Sequence, residues 1–249
     1  MEKLPLYVLF VAVAIGAYLW SRFQRDQRRQ ALARFASRSG LRYSKHDPYG
    51  LVWYDFRLFG KGDDRGCENV LSGRWQNLPV KEADYWYSTK STDAQGHPTD
   101  SGDSFSIVIA DLPVTVPYVS VQEETLSTWL ADRIGFHDID FESEDFNRQF
   151  QVTAADREFA FKLIDPRMIE WLVSTGGQFA FEIRDRSLLV ACEQLEPDRL
   201  AILFGAAKGF TDHIPQLVVA EYGTEQQAPS GGRPPGEPPA RADGEKSPS

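Results

Sequence analysis

One candidate for chemistry in this sequence is a set of carboxylates at every second position: Asp138, Asp140, Glu142 and Glu144. Successive side chains of a β-strand point to opposite faces, so on a strand all four would share one face. Crowded carboxylate oxygens could bind a hard cation such as Ca²⁺ or Mg²⁺. The same alternation is typical of any half-exposed strand, and the spacing of a calcium-binding loop is missing. A solvated strand face is therefore the competing interpretation.

A second candidate is Ser104, because Gly102-Asp103-Ser104 resembles the nucleophile block of GDS(L)-type esterases. In that family the serine follows a strand and leads toward a helix, and an acid and a histidine stand near the C-terminus as DxxH. Here the motif follows a polar loop and leads into a strand. The late His213 directly follows Asp212, which is the wrong spacing. The pattern therefore argues against a serine hydrolase.

The histidines and cysteines show no ligand spacing. The four histidines, without HxH or HExxH, are His46, His97, His137 and His213. Cys67 and Cys192 are far apart and lack CxxC spacing, which favours buried or bystander thiols over a disulfide or redox pair. No cofactor is predicted.

The N-terminus is apolar and uncharged from Leu4 to Trp20. A helix of about 17 residues spans about 26 Å, close to the hydrocarbon thickness of a bilayer. Tyr7, Tyr18 and Trp20 lie near its ends, where aromatic rings favour the membrane interface. We expect one transmembrane helix within residues 1–20.

A basic helix is expected to follow over residues 21–40 and to end at Gly40. Its arginines are Arg22, Arg25, Arg28, Arg29, Arg34 and Arg38. By the positive-inside rule these arginines predict that the N-terminus lies outside a bacterial inner membrane and that the body lies in the cytoplasm. The first four arginines are expected to anchor the helix at the membrane surface. A cleaved signal peptide ending at Ala12-Val13-Ala14 is the alternative, but its positive charge should precede the apolar run.

The net charge of −9 is unevenly divided. Residues 1–38 contribute +5 and the remainder −14. An acidic body is repelled by phosphate backbones and anionic headgroups, whereas the basic stretch is attracted to the cytoplasmic leaflet. Nucleic-acid binding is not expected.

An α+β body is predicted over residues 41–223, with a possible sub-boundary near 135 and a mixed or antiparallel sheet. Aromatic and β-branched runs indicate strands up to about residue 121, interrupted by a polar loop at 91–103. Helical spacing of Leu126, Trp129, Leu130 and Ile134 indicates a helix, and the chain then returns to strand at 137–152.

Several short helices and a hairpin are expected in the second half. Asp165-Pro166 suits a helix start, and Glu196-Pro197 opens a last helix. The apolar stripe of that helix is Leu200, Leu203, Phe204 and Ala207. Residues 184–187, "RDRS", are predicted to turn one strand into the next.

Residues 224–249 form a Pro- and Gly-rich tail without a large apolar residue. Such a segment cannot bury enough surface to offset the entropy of ordering, so it is expected to be disordered. Its Pro pairs would also suit a polyproline ligand.

The stretch "DIDFESEDFNRQFQVTAADREFAFKLIDPRMIEWL" resembles an uncharacterised family of bacterial membrane-anchored proteins. The matching residues are Glu144, Phe146, Asn147, Phe150, Val152, Asp156, Ala160, Pro166, Met168 and Leu172. The resemblance covers most of residues 20–218 and implies one N-terminal anchor with a cytoplasmic α+β body of unknown function. A structural role explains most matches; Asn147 could bond a turn or bulge, or face a ligand.

The preferred hypothesis is a single-pass membrane protein whose cytoplasmic module binds an unidentified protein partner. No convergent His, Cys or Ser constellation is evident, which favours a module over a catalyst. The alternatives are a metal-binding domain or metal-dependent enzyme using the acidic strand 138–144, and a lipid-recognising pleckstrin-like barrel.

Overall fold

The structure of the chain is a computed structural model that describes residues 3–92, 98–123 and 137–223. Side chains are described from Ala12 onward, except at positions 98 and 137. The helix predicted around Leu126–Ile134 and the tail 224–249 lie outside these residues.

The described chain alternates between helices and long strands. The α-helices are α1 Lys3–Arg38, α2 Glu144–Gln149, α3 Arg157–Leu163, α4 Pro166–Ser174, α5 Leu200–His213 and α6 Gln216–Tyr222. The strands are β1 Arg42–His46, β2 Asp64–Trp75, β3 Leu78–Thr92, β4 Pro98–Glu123, β5 His137–Asp138, β6 Phe150–Ala154 and β7 Ala180–Glu193. The 3₁₀ turns are η1 Leu51–Trp53, η2 Arg57–Gly60 and η3 Pro197–Arg199.

The strands form one antiparallel sheet in the order β1-β2-β3-β4-β6-β5, and β7 also pairs with β4. The predicted α+β class is therefore confirmed, with an antiparallel sheet. Among the described strands, β1, β5 and β7 each pair with one neighbour.

Alternate residues of the strands serve two separate cores, because successive side chains point to opposite faces. Val108 and Ala110 of β4 face the core that includes the end of α1 and the helices α3 to α6. Ile107 and Ile109 face a smaller core closed by η1 and η2.

The short helices begin where their caps predict. Asp156 accepts hydrogen bonds from the backbone of Glu158 and Phe159, and Asp165 accepts one from Met168. The predicted stripe of α5 is fully buried. The expected helix start at Asp165-Pro166 and the stripe of α5 are confirmed, whereas Pro197 begins the turn η3 and α6 follows α5, so α5 is not the last helix.

The hairpin expected at "RDRS" is wrong, because β7 runs without a break from Ala180 to Glu193. Asp185 has a φ of 52° and pairs with Val116 between two register shifts, at which β4 carries more residues than β7. Its partner β4 carries Pro113 and Pro117 in this stretch, and proline cannot donate to a ladder. The extra residues lie in β4, so residues 184–187 continue β7 opposite a bulged stretch of β4 and do not form a turn.

The polar loop expected at 91–103 is also mostly strand. β3 continues to Thr92 and β4 begins at Pro98, and the hydroxyls of Ser91 and Thr99 are hydrogen-bonded at 2.6 Å. Residues 93–97 lie outside the described part. Exposed Ser and Thr residues fit a two-stranded extension as well as a loop, and the sequence pattern does not separate the two.

The predicted juxtamembrane helix is part of one long helix, α1, which ends at Arg38. Leu41 N–H donates to the carbonyl of Ala36, and Gly40 has a φ of 69°, as a C-terminal glycine cap requires. The side chains of residues 4–11, Leu4 and Tyr7 among them, are outside the described part. In the portion that was described, no helix has the length and apolar character needed to cross a bilayer.

Candidate functional site: the base of the first helix and an aromatic groove

The first described turns of α1 do not pack on the body. From Ala12 to Gln27 the side chains are exposed apart from half-buried Ser21, and Trp20 is 63% exposed. The exposed large apolar side chains are Val13, Ile15, Tyr18, Leu19, Trp20 and Phe23. At 3.6 residues per turn these large side chains cover about 220° of the helix circumference, and Ala14 and Ala17 lie in the remaining sector, so the segment is apolar on all sides.

The last turns of α1, in contrast, are part of the body's core. Leu32, Phe35 and Ala36 are buried. The Phe35 ring stacks against Trp75 at the end of β2 and against Phe204 of α5, with ring centroids 6.2 and 6.0 Å apart. The base of α1 is therefore a structural element of the domain, not a linker.

An ion pair fixes α1 to the sheet just above this apolar contact. Arg28 Nη2 and Nε donate to the two oxygens of Asp84 at 2.6 and 2.9 Å, and Nη1 donates to the carbonyl of Leu195 at 2.8 Å. The Asp84 side chain is 4% exposed. Burial opposes the charge on Arg28, but the hydrogen bonds and charge of Asp84 outweigh it and raise the arginine pKa. Two parallel hydrogen bonds fix the rotation of α1 against β3.

A bulge in β2 completes this arrangement, which we call the clamp: Arg28, Asp84, Asn69 and Tyr43. Asn69 has a φ of 57°, at the register shift between Glu68 and Leu71. The bulge directs its amide to Asp84 Oδ2 at 2.9 Å, and its carbonyl oxygen accepts a hydrogen bond from the Tyr43 hydroxyl at 2.9 Å. Asp84 thus accepts three hydrogen bonds in a buried site.

Glu82 lies next to the clamp on the same face of β3. It is 0% exposed, and neither carboxylate oxygen has a hydrogen-bond partner within the described chain. Burial and the neighbouring charge of Asp84 raise the pKa of Glu82 well above its ordinary value, although Arg28 opposes the shift. The site thus disfavours the ionised form of Glu82.

The four arginines predicted as membrane anchors lie in two different environments. Arg22 and Arg25 are exposed beyond the last contact of α1 with the body. Arg28 binds Asp84, and Arg29 contacts Asp26 and Glu68 at 3.2 and 3.5 Å. Only the first two are thus oriented away from the sheet, while Tyr18 and Trp20 are exposed as expected of anchors.

The four predicted carboxylate ligands do not share a strand face. β5 ends at Asp138, residues 139–143 are irregular, and Glu144 begins α2. Across the three described ranges, no group of three His, Cys, Asp or Glu side chains is placed to hold a metal ion. The alternation that resembled a strand is broken because Ser143 caps α2 by accepting from Phe146 N–H.

Asn147 closes this irregular segment. Its side chain accepts from the backbone N–H of Phe141 at 3.0 Å and donates to the carbonyl of the same residue at 2.6 Å. Of the two roles that the sequence left open, the structure places Asn147 in the turn.

The remaining chemical candidates are separated. Ser104 lies within β4, paired with Trp86 of β3. His213 stacks on Trp171, and Cys192 is buried with its pKa raised to about 12 by burial. Cys67 and Cys192 are both free thiols.

A groove that the sequence did not indicate lies on the opposite face of the sheet. Its cavity is about 370 Å³, and its lining is Trp53, Tyr54, Asp55, Phe56, Arg184, Asp185, Arg186 and Ser187. Trp53 is 77% exposed, and the rings of Tyr54 and Phe56 stack with centroids 6.1 Å apart. Arg184 pairs with Asp55 at 2.7 Å. We call this the aromatic groove.

A buried carboxylate lies close to the aromatic groove. Glu182 of β7 is 2% exposed, and its Oε1 accepts from the backbone N–H of Arg57 at 2.7 Å. Burial raises the Glu182 pKa to about 7, against the opposing backbone hydrogen bonds and charge of Arg57. The bond ties η2, which follows the groove's aromatic loop, to the sheet.

This carboxylate predicts a pH-dependent stability. Between pH 4.5, its ordinary pKa, and about 7, folded Glu182 keeps a proton that the unfolded chain releases. Stability is therefore full below pH 4.5 and falls as pH rises through 7, by at most about 3 kcal/mol. Glu182→Gln retains the Arg57 hydrogen bond and should reduce this slope. Urea unfolding from pH 4.5 to 8 measures it, and equal slopes in both proteins would contradict the assignment.

The fold is similar to that of a solved structure. The crystal structure of the mycobacterial trehalose monomycolate transport factor A, TtfA, matches with a TM-score of 0.57 at 13% identity, covering 76% of this chain and 95% of that one. The likeness shows a shared fold. No protein-family model and no curated sequence matches the chain.

Proposed function

We propose that this chain is a single-pass membrane protein whose body binds another membrane protein as a non-catalytic factor in transport. The observation that carries the proposal is the two-part character of α1. Its first turns expose apolar side chains on all sides, and its last turns are fixed in the body by the clamp and by Phe35.

The sequence of residues 4–20 supports insertion of the first part. It is uncharged, and a helix of that length matches a bilayer's hydrocarbon thickness of about 30 Å. Arg22 and Arg25 follow directly and are exposed, so both are available to headgroups on the cytoplasmic side. The N-terminus would then be outside and the body in the cytoplasm.

The clamp would connect this anchor rigidly to the body. From Trp20 to Arg28 the exposed helix rises about 12 Å, so the body stands close to the membrane surface. Because Arg28 fixes the rotation of α1, the same face of the body is always presented to a neighbour in the membrane. A rigid tether of this kind raises the local concentration of the module for membrane partners.

A role in transport is supported by the shared fold. The similar protein is named as a transport factor for trehalose monomycolate. Side chains suited to catalysis are dispersed over the described residues, which supports a binding role for the body.

The test is affinity purification of the tagged full chain from native membranes in mild detergent, with bound proteins identified by mass spectrometry. Two matched baits are run beside it: residues 1–40 alone, and the full chain with Arg28→Leu. The proposal predicts one stoichiometric membrane transport protein with the full chain, less with Arg28→Leu, and none with residues 1–40. A full chain that elutes alone, or a partner held equally by residues 1–40, would overturn it.

A further inference from the structure

We propose that the aromatic groove binds a polyproline segment and that its occupant is the chain's own tail, residues 233–241, "RPPGEPPAR". The inference is independent of the proposed function, since it concerns the opposite face of the sheet from the clamp.

The groove has the surface that polyproline ligands require. Such ligands are extended helices without internal hydrogen bonds, and they dock their proline rings against exposed aromatic side chains. Trp53 is 77% exposed and Tyr54 is half-buried beside it in the lining, and the buried Phe56 stacks against the Tyr54 ring. A ring as large as Trp53 so far from the core lacks the apolar contact that would stabilise it.

The tail supplies a ligand of matching form. Pro235 and Pro238 are three residues apart, one turn of a polyproline helix, and so share a ridge. Glu237 between them carries a negative charge, and Arg233 and Arg241 flank the segment. The groove offers both signs of charge through Arg186 and Asp185, both exposed.

The place where the described chain ends puts this ligand within reach. A Cβ on Gly223 would lie 3.7 Å from Val114 Cγ1, in the irregular stretch of β4. The same stretch meets the groove: Val116 pairs with Asp185, and Arg186 Nη2 lies 3.5 Å from the Leu112 carbonyl. Residues 223–234 extend roughly 35 Å, enough to pass around the sheet edge at β7.

Attachment makes even a weak contact effective. A flexible linker of this length gives an effective concentration of about 1 mM, so a segment with a Kd of about 0.1 mM would occupy the groove about ten times more often than not.

The test is hydrogen exchange of the groove amides, residues 50–56 and 184–187, in the full chain in detergent micelles. Exchange is expected to be about tenfold slower in the wild type than in a full chain with Pro234, Pro235, Pro238 and Pro239 replaced by serine. Trp53→Ala should abolish the difference, while Trp86→Ala, another exposed tryptophan on β3, should leave it unchanged.

Further outcomes separate the occupants. A synthetic peptide of residues 230–243, added to the proline-to-serine chain, should restore protection in a saturable way. Equal exchange in the wild type and the proline-to-serine chain would overturn the proposal. Protection that disappears on dilution would mean that the tail of a second copy fills the groove, and would overturn the intrachain assignment.

Discussion

Arg28→Leu is expected to destabilise the chain by about 3 kcal/mol, because it leaves the buried carboxylate of Asp84 without its cation. The loss exceeds that of an exposed ion pair, which is worth at most about 1 kcal/mol, since water cannot replace the guanidinium. Urea unfolding of the detergent-solubilised chain, followed by tryptophan fluorescence, measures the difference.

Arg25→Leu is the matched control for this change, because Arg25 is exposed on the same helix three residues earlier. It should alter stability by no more than about 0.5 kcal/mol. Adding Asp84→Asn to Arg28→Leu should recover part of the loss, since no buried charge then remains at that position. Equal effects of Arg25→Leu and Arg28→Leu would show that the clamp contributes nothing.

Truncation before Gly40 is expected to unfold the body, although Gly40 is where the sequence predicts the boundary. The cut removes Leu32 and Phe35, each worth about 1.5–3 kcal/mol by burial, together with Arg28. The combined loss reaches the 5–15 kcal/mol by which typical domains are stable.

A chain that begins at Ser21 retains all of these contacts and is the matched control. It should give a cooperative thermal transition and dispersed amide signals, whereas the chain that begins at Gly40 should aggregate or lack both. A cooperative transition of similar midpoint in both would contradict the assignment of α1 to the fold. Interaction studies of the body should therefore use a chain that begins at Ser21.

Local chemistry made part of this fold predictable. Asp165-Pro166 specifies a helix start through one side chain and one fixed φ, and the stripe of α5 follows from helical spacing. The alternation of acidic residues at 138–144 led to the wrong prediction of a strand. The cap at Ser143 and the amide of Asn147 turn the chain within the same few residues.

The clamp and the aromatic groove could not be predicted from local sequence patterns. Arg28 and Asp84 are 56 residues apart in the sequence. Only the pairing of β2 with β3 brings the Asn69 bulge against Asp84. Among six similar arginines, nothing in the local pattern marks the one that will be buried. Asp84 on the apolar face of β3, beside Glu82, was the available signal: two acids on a buried face require a partner.

The central claim is that α1 enters the membrane with its first turns while its last turns belong to the body. Alkaline carbonate extraction of native membranes tests it most directly, with the full chain compared with a full-length variant carrying Val11→Asp and Ile15→Asp. The two aspartates add about 5 kcal/mol or more to the cost of insertion. The account predicts that the full chain stays in the membrane pellet while the variant is released. Release of both to the same extent would contradict it.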